Sequence, residues 1–216
     1  MSKEGHLLKL LIHDEKTVVK IEPNFIVRGI LLPMQLGSTC ARIKNEFGSF
    51  IDEIPIMASD ELYAGKICAA LSRQHPRDLF DIKLLLETTG VTDSIRQMFL
   101  VYLVCNSRPI HEILSPNLID IKQVFEKEFF RMTRENVFLE ELLLARQQLI
   151  KEISKKLTEQ EKKFLLSIKS GKPEYDLLPY SEIHKLPALQ WKLMNLKKLN
   201  EEKHQQLIQK LKMVLN

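Results

Sequence analysis

The sequence predicts an α+β protein: a small mixed β-sheet at the N-terminus, followed by a predominantly α-helical bundle. Three observations lead there. Before residue 58 the apolar residues come in short runs broken by Pro23, Gly29, Pro33, Gly37, Gly48 and Pro55, the punctuation of strands and turns. From Ser59 onward the apolar residues recur at helical spacing with short connections, as in an antiparallel bundle. The 216 residues are 44% hydrophobic, enough to bury a core in one large domain or two small ones. The change of pattern divides the chain into a sheet domain, 1–58, and a helical domain, 59–216.

In chain order, residues 6–12 (HLLKLLI) and 17–22 (TVVKIE) flank the polar stretch His13-Asp14-Glu15-Lys16 and read as a β-hairpin. Strand alternation sets Lys20 and Glu22 on one face and Val19 and Ile21 on the other. Alone, that polar face is the solvent side of a half-buried strand. Phe25-Ile26-Val27 and Ile30-Leu31-Leu32 suggest one or two further strands, 35–58 reads as loop, and Ile54–Met57 suggests a short edge strand.

A helix is expected to start at Ser59 and Asp60, with acidic residues in its first turn. It runs to a corner at Gln74-His75-Pro76, where proline ends one helix and begins the next, and His75 serves as a cap. Thr88-Thr89-Gly90 stops the second helix. Further helices are expected at about 93–106, 116–133, 135–157, 159–170 and 188–215. Thr158-x-x-Glu161 is a capping box. The loop between Gly171 and Pro187 is anchored by Tyr175, Leu177, Leu178, Tyr180 and Ile183.

The chemistry concentrates around the corner. Leu62, Tyr63, Ala69 and Ala70 form one stripe with Lys66 in its middle. In the second helix Leu84 and Leu85 mark the apolar side, with Arg77 and Asp81 one turn apart on that same side and Asp78 at its edge. Lysine and carboxylate groups turned inward are rarely buried unless paired. One reading is a structural ion pair at a helix end. The other is a polar cluster in which a lysine meets anionic phosphate and a carboxylate holds a metal or orients that lysine. Periodicity alone does not separate them.

Composition narrows the field. A net charge of +4 is compatible with nucleic acid without being diagnostic of it. Three widely spaced cysteines, Cys40, Cys68 and Cys105, make no disulfide framework and point to a reducing cytoplasm. No apolar stretch is long enough for a membrane span, and no signal pattern opens the chain. The six histidines show no metal spacing, and HExxH, GxSxG and phosphate-cradling glycine loops are absent from the sequence. Arg146, Lys151, Lys155, Lys156, Lys192 and Lys197, with further lysines on the last helix, are expected on outer helix faces. They are read either as a solvated surface with glutamate partners or as a phosphate-tracking surface. Trp191, beside Leu189, Leu193 and Leu196, is expected to anchor in the core.

The string K-x6-R-x3-RD-x2-D (Lys66, Arg73, Arg77, Asp78, Asp81) resembles the signature of the AbiEii/AbiGii toxin family, which includes the MenT toxins. The stretch 186–196 (LPALQWKLMNL) resembles that family's C-terminal helix, and Val19-Lys20-Ile21-Glu22 its late catalytic-domain strand. The resemblance implies a nucleotidyltransferase-fold toxin of a toxin–antitoxin or abortive-infection system, moving a nucleotide from an NTP, in the MenT branch onto a tRNA end. It implies Lys66, Asp81 and Glu22 as catalytic residues and Lys66, Arg77, Asp78 and Lys20 as nucleotide-binding ones. It also implies Mg2+, for which Glu22 is the available ligand, and a cognate antitoxin.

The family pattern opens with a Gly-Gly or Gly-Ser turn and then an Asp-x-Asp pair. Neither precedes Lys20, and Gly37-Ser38 has no Asp-x-Asp after it. The chain is therefore expected to begin partway through the pattern, its sheet a remnant of the nucleotidyltransferase domain. Either it is an enzyme, or it is an inactive remnant or split-enzyme half that acts as a binding module. A sheet shortened in this way exposes an edge, so a homodimer through the N-terminal strands is expected.

Overall fold

A computed structural model describes residues 9–22, 29–134 and 136–216. It is an α+β protein, and the strands among the described residues form two separate two-stranded antiparallel sheets. The expected strand at Phe25-Ile26-Val27 lies outside the described residues.

The hairpin pairs β1 (Leu10–Asp14) with β2 (Thr17–Ile21), from Leu10 opposite Ile21 to Asp14 opposite Thr17. The turn is only Glu15-Lys16, so His13 and Asp14 belong to the strand rather than to the turn. All ten strand residues are exposed. The stretch read as loop holds more order than expected. β3 (Gln35–Gly37) pairs with β4 (Ile54–Ile56) around α1 (Ala41–Phe47), which ends on Gly48 at φ +65°, a conformation that glycine adopts without strain.

The bundle is built around α4 (Asp93–Cys105), in which every residue from Met98 to Cys105 is buried. A helix apolar on all sides must be enclosed, and α2 (Ser59–Arg73), α5 (Ile110–Leu114), α8 (Glu159–Lys169) and α9 (Pro187–Lys197) pack against it. α3 (Pro76–Glu87) packs on α7 (Leu139–Lys156), and α10 (Glu201–Leu215) on α8 and α5. The capping box at α8 forms as expected: Glu161 N–H donates to Thr158 Oγ1, and Thr158 N–H to Glu161 Oε2. Gly90, at φ +71°, donates its N–H to the Leu85 carbonyl and closes α3.

Two helices are shorter than the pattern suggested. The stretch 116–133 is helical only in α6 (Lys122–Glu128). The last long helix is two, broken where the Asn200 side chain accepts from Lys203 N–H as a new N-cap. A short polar side chain competing for backbone donors is what starts a helix.

Candidate functional site

The α2–α3 corner depends on Gln74. Its backbone sits at φ +53°, left-handed, and its N–H returns to the Ala70 carbonyl. That conformation costs a non-glycine residue energy, and buried bonds hold it in place. Gln74 Nε2 donates to the Asn117 carbonyl at 2.8 Å, while its Oε1 accepts from the Arg146 guanidinium at 2.9 Å. His75 then caps α3, its Nδ1 accepting from Arg77 N–H, and Pro76 occupies the first turn. The cap role expected of His75 is observed.

This corner brings Lys66 and Asp81 together. The Lys66 Nζ donates to Asp81 Oδ2 at 2.5 Å across the two helices, each side chain about one-third exposed (34% and 35%). Next to it, Arg73 forks onto Asp78 through Nε and Nη2 at 3.0 and 2.6 Å, a planar bidentate match. Arg77 reaches across to Glu128 of α6 at 3.5 Å, and His75 Nε2 meets the same carboxylate at 3.2 Å. Three basic side chains from the last two turns of α2 and the start of α3 thus line one surface, each held by a carboxylate and each reachable from solvent.

The inward direction expected for this cluster is corrected. The buried face of α2 is Ala64, Ile67, Cys68 and Leu71, and that of α3 is Leu79, Ile82 and Leu85. Leu62 and Leu84 are exposed, so Lys66, Arg77 and Asp81 lie on the outer sides. Lys66 and Asp81 do meet, but not on the inward face, because a leucine at a helix edge weighs in the pattern like one in the core.

Lys20 and Glu22 stand elsewhere. They pair with each other at 2.7 Å, both more than half exposed or at half, on the shared face that alternation required. No hydrogen bond or ion pair among the described residues joins them to Lys66 or Asp81. Nor do those residues hold a group of three or more His, Cys, Asp or Glu side chains arranged for a metal. Mg2+ demands several oxygen ligands near octahedral geometry, and Glu22 with its ammonium partner does not provide them.

The acid that breaks the burial rule is Glu61, which sequence reasoning took for a first-turn charge. It is fully buried and accepts from Leu31 N–H at 2.9 Å, Leu32 N–H at 3.1 Å and the Tyr102 hydroxyl at 3.2 Å. It fastens the strand-side segment to the bundle. Its only sequence signal is spacing: Glu61, Ala64, Cys68 and Leu71 repeat at i, i+3, i+7 and i+10. Two basic residues expected on outer faces are buried. Arg146 donates to Gln74 and to the Ile119 carbonyl. Lys192 donates to the carbonyls of Asn106 at 2.8 Å and Arg108 at 3.3 Å, and burial together with nearby Lys169 pushes its ammonium down to about 8. Trp191, expected in the core, is more than half exposed, since Lys192, Leu189 and Leu196 take the inward positions of α9. Lys151, Lys155, Lys197, Lys203, Lys210 and Lys212 are exposed, as expected.

No described helix is long and apolar enough to cross a membrane. No curated protein and no solved structure matches the chain. The family model described as nucleotidyl transferase AbiEii toxin, type IV TA system, matches residues 4–195, a span that contains β2, the α2–α3 corner and most of α9. A toxin of that type implies a cognate antitoxin. The chain belongs to the AbiEii nucleotidyltransferase toxin family of type IV toxin–antitoxin systems.

Proposed function

We propose that the α2–α3 corner binds the triphosphate of an NTP and that the protein transfers a nucleotide to an RNA acceptor in the cytoplasm, a tRNA end if it follows the MenT branch. The observation that carries this reading is the Lys66–Asp81 pair, 2.5 Å apart and one-third exposed. An ammonium carries three donors and one is committed to Asp81, so two remain for phosphate oxygens. Asp81 orients Lys66. Arg77 supports both, its guanidinium in partial contact with Glu128, while Asp78 holds Arg73 alongside. In the reaction, an acceptor hydroxyl attacks the α-phosphorus and the bond to the leaving pyrophosphate breaks. Lys66 and Arg77 would neutralise the charge that builds on that leaving group.

Lys20, on β2, and Glu22, just after it, enter this reading only if the hairpin approaches the corner. Mg2+ is implied by the family, but the described carboxylates do not fit it. The test is transfer of label from each α-labelled NTP to RNA, with Lys66→Ala and Asp81→Asn as controls. Transfer by the wild type that both variants lose supports the reading, and equal transfer by Lys66→Ala contradicts it.

A second reading draws on a specific observation: the 216 residues contain no Asp-x-Asp, the family's metal-binding pair. In this reading the chain binds nucleotide or RNA without turnover, and a second polypeptide supplies the carboxylates. Binding of NTP without transfer, with transfer restored by a polypeptide carrying that motif, would favour it.

A further inference from the structure

Behind α6 lies a cavity of about 620 Å3, a size typical of small-molecule sites, and none of Lys66, Arg77 and Asp81 lines it. Four of the chain's ten phenylalanines surround it: Phe125, Phe129, Phe130 and Phe138. Phe125 and Phe129 are buried and form the inner wall, whereas Phe130 and Phe138 stand at the mouth, 57% and 63% exposed. Arg131 is held at φ +66°, a left-handed backbone, and its guanidinium lies 5.3 Å from the Phe130 ring centre. Neither Arg131 nor Lys122, also at the rim, has a carboxylate within ion-pair distance among the described residues. Glu126, Glu140 and Asn136 complete the polar border.

The combination narrows the ligand. Exposed flat rings facing a cavity favour a planar aromatic group, which stacks on them. Two cations without a carboxylate partner among the described residues favour a phosphate attached to it, and the rim carboxylates can accept N–H groups from the edge of a base. A lipid chain would leave the rim charges unused, and a bare polyanion would be repelled by the two glutamates. The geometry points to a binding pocket for a nucleoside phosphate, its base between Phe130 and Phe138 and its phosphate at Arg131 and Lys122.

The pocket's position adds meaning. Glu128 holds Arg77 and His75 on the α3 side of α6, while the next residue, Phe129, lines the cavity and packs on Phe80 at 5.5 Å between ring centres. Phe80 precedes Asp81. The pocket and the α2–α3 corner therefore share α6 as a common wall. Use of the pocket to seat the acceptor's terminal base rests on the proposed transfer at Lys66, but nucleotide binding in the pocket does not.

The test is ligand-observed NMR on the full chain with AMP, CMP, GMP and UMP, and with a four-nucleotide single-stranded RNA. At least one monophosphate is expected to bind, Phe138→Ala to weaken it by about tenfold, and Phe138→Trp to restore it. Phe138 is largely exposed, so its variants should melt with the wild type. Lys66→Ala should leave this affinity unchanged. RNA that binds more tightly than any monophosphate would mark an acceptor strand, and equal affinity a free nucleotide. The proposal is overturned if no nucleotide binds, if Phe138→Ala binds like the wild type, or if Lys66→Ala abolishes binding, which would assign it to the corner. If an apolar peptide occupies the cavity and no nucleotide displaces it, the proposal also falls.

Discussion

Lys192 offers a quantitative check on the packing of α9, the helix that carries most of the 186–196 family motif. Its ammonium is enclosed at the end of α4, donating to the carbonyls of Asn106 and Arg108. Burial lowers its proton affinity from 10.5 to about 8, with Lys169 adding repulsion. Lys169 is itself buried and lowered. The sign follows from linkage: with the folded-state value below the unfolded one, the unfolded chain binds the proton more tightly between pH 8 and 10.5, and stability rises with pH across that window. Between pH 7.5 and 9.5 the gain from this one group is about 2 kcal/mol. Lys192→Met keeps much of the side-chain volume and cannot titrate. At pH 7.5 it should lie near the wild type, because relief of the buried charge offsets two carbonyls left without a donor. At pH 9.5 it should have lost ground by about 2 kcal/mol. Urea denaturation at the two values reads the difference. Parallel pH dependence in wild type and variant would refute the enclosed ammonium.

Other consequences can be checked alongside. Glu61→Ala removes an acceptor of three hydrogen bonds from a fully buried site. It should cost about 2–3 kcal/mol and speed hydrogen exchange at the Leu31 and Leu32 amides. Unchanged exchange there would mean that another contact fastens the segment. Arg96 and Glu161 form a buried pair at 3.0 Å, so Arg96→Met should destabilise by about 3–5 kcal/mol. The Arg96→Met/Glu161→Gln double variant should lose much less than the two single losses added together, and additive losses would argue against a direct pair. Finally, Leu10 and Ile12 face Ile21 and Val19 across the hairpin, giving one face four apolar side chains, each more than two-fifths exposed. Light scattering should give the mass of a dimer, which Ile12→Lys/Val19→Glu converts to monomer. A clean monomer for the wild type at high concentration would dismiss this surface as a contact between copies.

How much was readable in the sequence differs by feature. Local signals carried well: Pro76 after His75 marked the corner, Thr158 with Glu161 marked a helix start, and Gly90 marked an end. Each is a short-range backbone requirement that few residue types satisfy. Facing was harder. Glu61 carries the same signature as a dipole-stabilising first-turn acid, and partners far along the chain, the Leu31 and Leu32 amides and the Tyr102 hydroxyl, make it a core residue. Lys192 and Arg146 looked like surface cations because long basic side chains usually are. Their acceptors are backbone carbonyls and, for Arg146, also the Gln74 side-chain oxygen, and no residue type announces a backbone carbonyl. Trp191 went the other way, since its apolar neighbours share its segment but not its face. Of the candidate site, Lys66, Arg77, Asp78 and Asp81 were picked out by helical spacing and Arg73 only by the family resemblance, whereas Glu128 was invisible until α6 brought it to Arg77.

The central claim is that Lys66, oriented by Asp81, holds a triphosphate at the α2–α3 corner. Titration calorimetry of the full chain with each NTP, with and without Mg2+, tests it most directly. The account predicts saturable binding of at least one NTP, lost by tenfold or more in Lys66→Ala while that variant's melting temperature stays near the wild type's, because a one-third exposed ion pair contributes only about 1 kcal/mol or less to folding. Equal affinity in wild type and Lys66→Ala, or no heat with any nucleotide, would contradict it.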